Sequence, residues 1–206
     1  MRVVFVHGAC VRDGAWWWHR AADDLGNHGI LSSAPPLPSC GETGIVPTGE
    51  GPTLEDDVAA GLAQVRHLVY IASFLPQVGE SLASFGDGTP APYLDFGSDG
   101  TFGVRAEVAT RTFLQDCDRE AVEQAHARLV RQSAAVIAAV ITGPVQAAAW
   151  QQVPSTYVVC AQDNGTPAAV QRVQAGRATH VVEVATGHHP FLSRPSVVAR
   201  LLLDLA

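Results

Sequence analysis

The sequence predicts an α/β fold: a mostly parallel, doubly wound sheet of about five strands, with helices on both faces and a helical cap over its carboxyl edge. Three observations predict it. Short β-branched runs (RVVFVHG, GILSSAP, VRHLVYIAS, STYVVCAQD, HVVEVATG) are spread along the chain and separated by helix-like stretches. The last two runs each lead directly into a helix-like segment, as strands of a parallel sheet do. Between Leu75 and Trp150 the strand pattern lapses and apolar residues recur at helical spacing, which marks an insertion over the sheet.

Taken in order, Arg2 to Val6 form the first strand, and GAWWWHRAADDLGNHG the first helix. The run Trp16-Trp17-Trp18 packs that helix against the core, yet three adjacent rings are too bulky for all to be buried. GILSSAP is the second strand, and the Pro- and Gly-rich stretch from Ala34 to Pro52 is a loop. Thr53 with Asp56 makes a capping box for a helix over Leu54 to Ala63. VRHLVYIAS follows as the third strand. Within the expected cap, 75–150, Asp118 caps REAVEQAHARLVRQ, where Val122, Ala125 and Leu129 share a face. STYVVCAQD is the next strand, Thr166-Pro167 starts a helix, HVVEVATG is the last strand, and Pro195 to Ala206 form the closing helix. The whole of 1–206 reads as one domain.

At 206 residues, 47% hydrophobic and 16% charged, the chain has apolar material for a substantial core. Thirteen basic residues against 20 acidic ones give a net charge of −7, with no Lys/Arg cluster to hold a phosphate backbone, so nucleic acid is not an expected partner. No apolar run approaches the roughly 18 residues of a membrane span, and the first residues lack a leader pattern, so no membrane association and a cytoplasmic location are expected. The cysteines Cys10, Cys40, Cys117 and Cys160 show no CxxC spacing and read as free thiols; no metal or cofactor is expected.

In an open α/β sheet, ligands bind outside the carboxyl ends of the strands, so the residues just past each run carry the functional reading. His7-Gly8-Ala9-Cys10 follows the first strand, where Gly8 permits a sharp turn and the next N–H groups can face a developing oxyanion. Alone it is a plain strand-to-loop turn. Asp163 stands just past STYVVC and alone reads as a turn or capping aspartate. His188 and His189 follow the last strand; alone they are loop residues or a weak metal site.

Together these stretches are more specific, because an acid after one strand and a histidine after the next is the chain order of the α/β-hydrolase triad. The chain resembles that superfamily, and within it the plant methylesterases and hydroxynitrile lyases with their bacterial relatives. The resemblance rests on VVFVHGACVRDGAWWWHR, VRHLVYIASFLPQVGESL, TFLQDCD, STYVVCAQDNGTP and ATGHHPFLSRPSVVARLLLDLA, and so covers nearly the full length. It implies that Asp163 is the triad acid, His188 the triad base and the Ala9 N–H one oxyanion donor. It also exposes a departure. Relatives pass from the TLEDDVAA helix into a strand that ends in a G-H-S-x-G-G nucleophile elbow, then a helix, before reaching GLAQVRHLVYIASF; here Ala60 is followed directly by Gly61. The sheet is therefore expected to be shortened by one central strand-helix unit, on the scale of 30 or more residues, and VRHLVYIAS either to pair directly with the first strand within one chain or to be bridged to it by exchange between two chains.

No G-x-S-x-G occurs in the chain. Gly79-Glu80-Ser81-Leu82-Ala83 follows a loop rather than a strand and reads as structural. Ser73 stands at a strand's carboxyl end, where a nucleophile is wanted, although a small residue packed beneath the cap fits as well. Phe74 and His189 join Gly8, Ala9 and Cys10 as candidate oxyanion and substrate-binding residues. The first reading is an enzyme without the usual serine, in which a His188–Asp163 dyad does general acid/base chemistry of lyase, cyclase or dehydratase type on a small carbonyl or hydroxyl substrate. The others are an esterase with Ser73 as substitute nucleophile, and a non-catalytic remnant that binds a ligand or partner. A lost central strand leaves ladder edges open, so a homodimer through the sheet or cap is expected.

Overall fold

A computed structural model describes residues 1–40, 65–85, 89, 91–134, 142–145 and 148–205. The helix expected over Leu54 to Ala63 and the Ala60-Gly61 junction lie outside the described residues.

The strands expected from β-branched runs are present and parallel. β1 (Arg2–Val4) pairs with β2 (Leu31–Ser33), with Val3 opposite Ser32. β3 (Leu68–Ile71) pairs with β7 (Ser155–Cys160), and β7 with β8 (His180–Val184), so that β7 is central and buried along its whole length. Among the described residues no ladder joins β1 to β3, contrary to direct pairing of VRHLVYIAS with the first strand within one chain. The two half-sheets meet through side chains instead: Phe5, with Val3 beside it, belongs to the same apolar cluster against which Val69 and Ile71 pack.

α1 (Gly14–Asn27) begins at Asp13, whose carboxylate accepts the Trp16 N–H at 3.3 Å. Trp17, Trp18, Ala21 and Leu25 form its buried face, one helical stripe, while Trp16 stays partly exposed beneath the Arg128 guanidinium, 4.4 Å from its ring. Trp18 stacks on Phe5 at 4.6 Å and meets Phe191 at 3.9 Å. Burying a ring of this size stabilises the fold by about 2–3 kcal/mol, so this stripe anchors the helix to the half-sheet above it.

The segment expected to form a helical cap holds strands as well as helices. β4 (Leu94–Phe96), β5 (Thr101–Val104) and β6 (Gln132–Ser133) make a small antiparallel sheet, with α2 (Ala106–Phe113) and α3 (Arg119–His126) between the last two strands. Asp118 caps α3 as expected, accepting the Ala121 N–H at 2.8 Å. α4 (Ala168–Ala175) follows Thr166-Pro167, and α5 (Pro190–Ser193) and α6 (Pro195–Asp204) close the chain, α6 lying against α1.

Candidate active site

The carboxyl ends of β7 and β8 deliver an acid and a histidine to one place. Past β7, the chain turns at Gln162-Asp163, and the Asp163 side chain is fully buried. Its Oδ1 accepts the N–H groups of Gly165 (2.7 Å) and Thr166 (3.1 Å), which holds the carboxylate in one orientation. Its Oδ2 accepts Nε2–H of Gln171 at 2.9 Å and lies 2.7 Å from Nδ1 of His188. With Nδ1–H given to the carboxylate, Nε2 of His188 is the nitrogen left for chemistry. Among the described residues no hydroxyl or thiol bonds to that Nε2.

Gln171, from α4, escaped the sequence reading. It is wholly buried, and besides Asp163 it accepts the Cys160 N–H at 2.8 Å and donates to the Thr166 carbonyl at 2.6 Å. One amide thus ties the end of β7 to the acid and to the helix that follows. No motif announces it; its only signal is a polar residue on the buried face of a helix eight positions past the acid.

His189 lies beside the pair rather than in it. Its ring stands 4.8 Å from that of His188 and is walled by Trp17, Phe113 and Phe191, with Nδ1 shut away from solvent and unpaired among the described residues. Burial, reinforced by the neighbouring His188 charge, holds its pKa well below the usual histidine range, against the pull of a backbone hydrogen bond to Phe113. His189 is therefore neutral and apolar in character.

The other candidates are placed differently. Gly8 and Ala9 are exposed just past β1, and the Ala9 N–H has no hydrogen-bond partner among the described residues. Cys10 is buried and its N–H already donates to Gln132 Oε1 at 3.2 Å, which removes it as an oxyanion donor. Burial pushes its thiol up to about 12, and likewise those of Cys117 and Cys160, so none is a ready thiolate. Ser73 is not bonded to His188; its carbonyl accepts the hydroxyl of buried Tyr157 at 2.5 Å, while Ala72 before it bends at φ 47°. Phe74 stacks on Phe85 at 5.7 Å. Among the described residues no group of three or more His, Cys, Asp or Glu is arranged to hold a metal ion.

Parallel strands that carry an acid and then a histidine at successive carboxyl ends define the α/β-hydrolase class of scaffold. Residues 54–201 match the model of the alpha/beta hydrolase family, and the chain belongs to that family. The alpha/beta hydrolase nvfD of Aspergillus novofumigatus is 29% identical over 155 residues; these make up 73% of this chain but 60% of that protein, so the chain spans three fifths of this curated relative. Among solved structures, polyneuridine aldehyde esterase superposes with a TM-score of 0.79 at 19% identity, over 99% of this chain and 98% of its own. The methylesterase MES16 from Arabidopsis gives 0.72 at 19% identity, over 100% and 98%. A variant of tomato methylketone synthase I in complex with β-ketoheptanoate gives 0.75 at 13% identity, over 99% and 96%. At these identities the likeness is one of fold.

Proposed function

We propose that the chain is an enzyme that works without a nucleophilic serine, using His188, oriented by Asp163, as general acid or base on a small carbonyl or hydroxyl substrate. The observation that carries this reading is the 2.7 Å contact between Nδ1 of His188 and a carboxylate whose every other bond is to a fixed donor. An imidazole held in one tautomer with its second nitrogen free suits proton transfer at a carbonyl. Covalent acyl transfer needs a hydroxyl against that nitrogen, and the sequence has no G-x-S-x-G to supply one. The unit absent between Ala60 and Gly61 accounts for its loss.

The methylketone synthase among the structural neighbours, seen with β-ketoheptanoate, makes a β-keto acid the first substrate to offer. Protonated Nε2 of His188, with the Ala9 N–H, would hydrogen-bond the keto oxygen. The bond from the α-carbon to the carboxylate then breaks, its electron pair passes to the enol, carbon dioxide leaves, and a proton returns to carbon to give the methyl ketone. A purified chain that releases carbon dioxide from a medium-chain β-keto acid, and loses that release in His188→Ala, supports the reading. Turnover equal to that of His188→Ala across a panel of β-keto acids, esters and hydroxynitriles, alongside a ligand-induced rise in Tm, would replace it with the binding-remnant reading.

One observation favours the Ser73 esterase: the left-handed bend at Ala72 just past β3, a sharp turn of the kind that presents a nucleophile. A burst of acyl-enzyme abolished in Ser73→Ala would establish it. We further propose a homodimer formed across the strand edges that are open among the described residues, with no nucleic-acid or membrane partner and a cytoplasmic location; among the described residues no helix is long and apolar enough to cross a membrane.

A further inference from the structure

One short strip of chain, between α2 and α3, touches both loops that carry the Asp163–His188 pair. Gln115 Nε2 donates to the carbonyl of Gln162 at 2.7 Å, one residue before the acid. Asp116 Oδ2 accepts the N–H of Gly187 at 2.7 Å, one residue before the histidine. Asn164 Nδ2 donates to the Arg111 carbonyl at 2.8 Å. The fit is close on each side. A Cβ on Gly187 would stand 2.5 Å from Asp116 Oδ1 and 2.7 Å from Gln115 Nε2, and a Cβ on Gly165 would stand 2.3 Å from the Phe113 ring. Phe113 also meets the His188 ring edge-on at 5.0 Å.

We propose that Gln115 and Asp116 are positioning residues that set the acid loop against the histidine loop, so that Oδ2 of Asp163 faces Nδ1 of His188. The proposal rests on the dyad reading. Gly187 and Gln162 are each one peptide from a member of the pair, so a rotation of either peptide moves Cα of that residue and opens a contact that tolerates only a few tenths of an ångström. The β7 and β8 loops bond to each other here through Gln162 N–H to the Thr186 carbonyl at 3.0 Å. That carbonyl belongs to the same peptide plane as the Gly187 N–H, so the bond holds one edge of that peptide. The carboxylate of Asp116, one oxygen on that peptide's N–H and the other buried with no partner among the described residues, holds the opposite edge, so the peptide is fixed from both sides.

The test is proton NMR of the full chain, read at the low-field Nδ1–H resonance of His188, assigned by its loss in Asp163→Asn. Asp116→Ala is expected to abolish or broaden that resonance while the far-UV circular dichroism stays native. Asp116→Asn, whose amide oxygen still accepts the Gly187 N–H, is expected to restore it. Gln115→Ala, at an exposed residue and therefore folded, is expected to shift it in the same direction as Asp116→Ala. An unchanged resonance in Asp116→Ala and Gln115→Ala overturns the positioning role and leaves the dyad standing. Equal loss in Asp116→Asn shows that charge rather than the bond matters, and overturns it too. Absence of the resonance in the wild type removes the dyad reading itself, and the proposal with it.

Discussion

Oδ1 of Asp163 is spent on two backbone N–H groups, so only Oδ2 is left to the imidazole, and it must hold Nδ1–H of one tautomer. Asp163→Asn is expected to present an N–H there instead and turn the imidazole to the wrong tautomer, lowering turnover by about 10⁴-fold, as loss of such an acid does elsewhere; steady-state kinetics on a converted substrate would show it. Ser73→Ala is expected to change that rate little. His189 yields a different expectation. Its folded-state pKa is depressed, so between the ordinary histidine pKa of about 6.5 and its own lower value only the unfolded chain takes up the proton. Its contribution is fully present above the unfolded value of about 6.5 and is lost as pH falls towards the folded one, by up to about 1.4 kcal/mol per pH unit. Urea melts at pH 7.5 and pH 5 should show a smaller difference for His189→Phe than for the wild type, since Phe suits the aromatic walls and binds no proton. His67, less buried, shifts the same way and remains in both chains.

At the scale of elements, α4 does more than cover β7. Gln171→Ala is expected to leave the Cys160 backbone and one Asp163 oxygen short of partners, at about 1–3 kcal/mol of stability; chemical denaturation measures it, and a change below 0.5 kcal/mol would mean that other groups take over. Most elements were legible in the sequence because their patterns are local. VVFV, LVYI, YVVC and VVEV are β-branched runs, and Asp118 announces α3 through a cap three residues long in its reach. β4 to β6 were not, since LDF, TFGV and QS are too short to show a period and pair only through the turn and helices between them. Chain order revealed the acid and the histidine. Gln171 and the Gln115-Asp116 strip were hidden, because their partners lie up to 71 residues away and no local pattern encodes such a meeting.

Over the whole molecule, apolar side chains remain exposed on both half-sheets: Val4 and Leu31 on one, Val181 and Val182 on the other. Val182 also lines a groove of about 440 Å³ with Val197 and Leu201 of α6. Surface of this kind, together with strand edges that are unpaired among the described residues, is what the proposed homodimer would cover. Sedimentation equilibrium is expected to return twice the mass of one chain. A single-chain mass at micromolar concentration would sink the homodimer.

The missing ladder between β1 and β3 also sets where the molecule can come apart. Hydrogen bonds transmit cooperativity along a sheet, and among the described residues they stop at β1–β2 on one side and β3–β7–β8 on the other. Among the described residues only side-chain contacts bridge the interval, so the small pair is expected to open while the larger trio stays closed. Amide hydrogen exchange should then divide into two tiers, with the N–H groups of β2 losing protection early and those of β7, paired on both flanks and sealed from water, exchanging only when the whole chain unfolds.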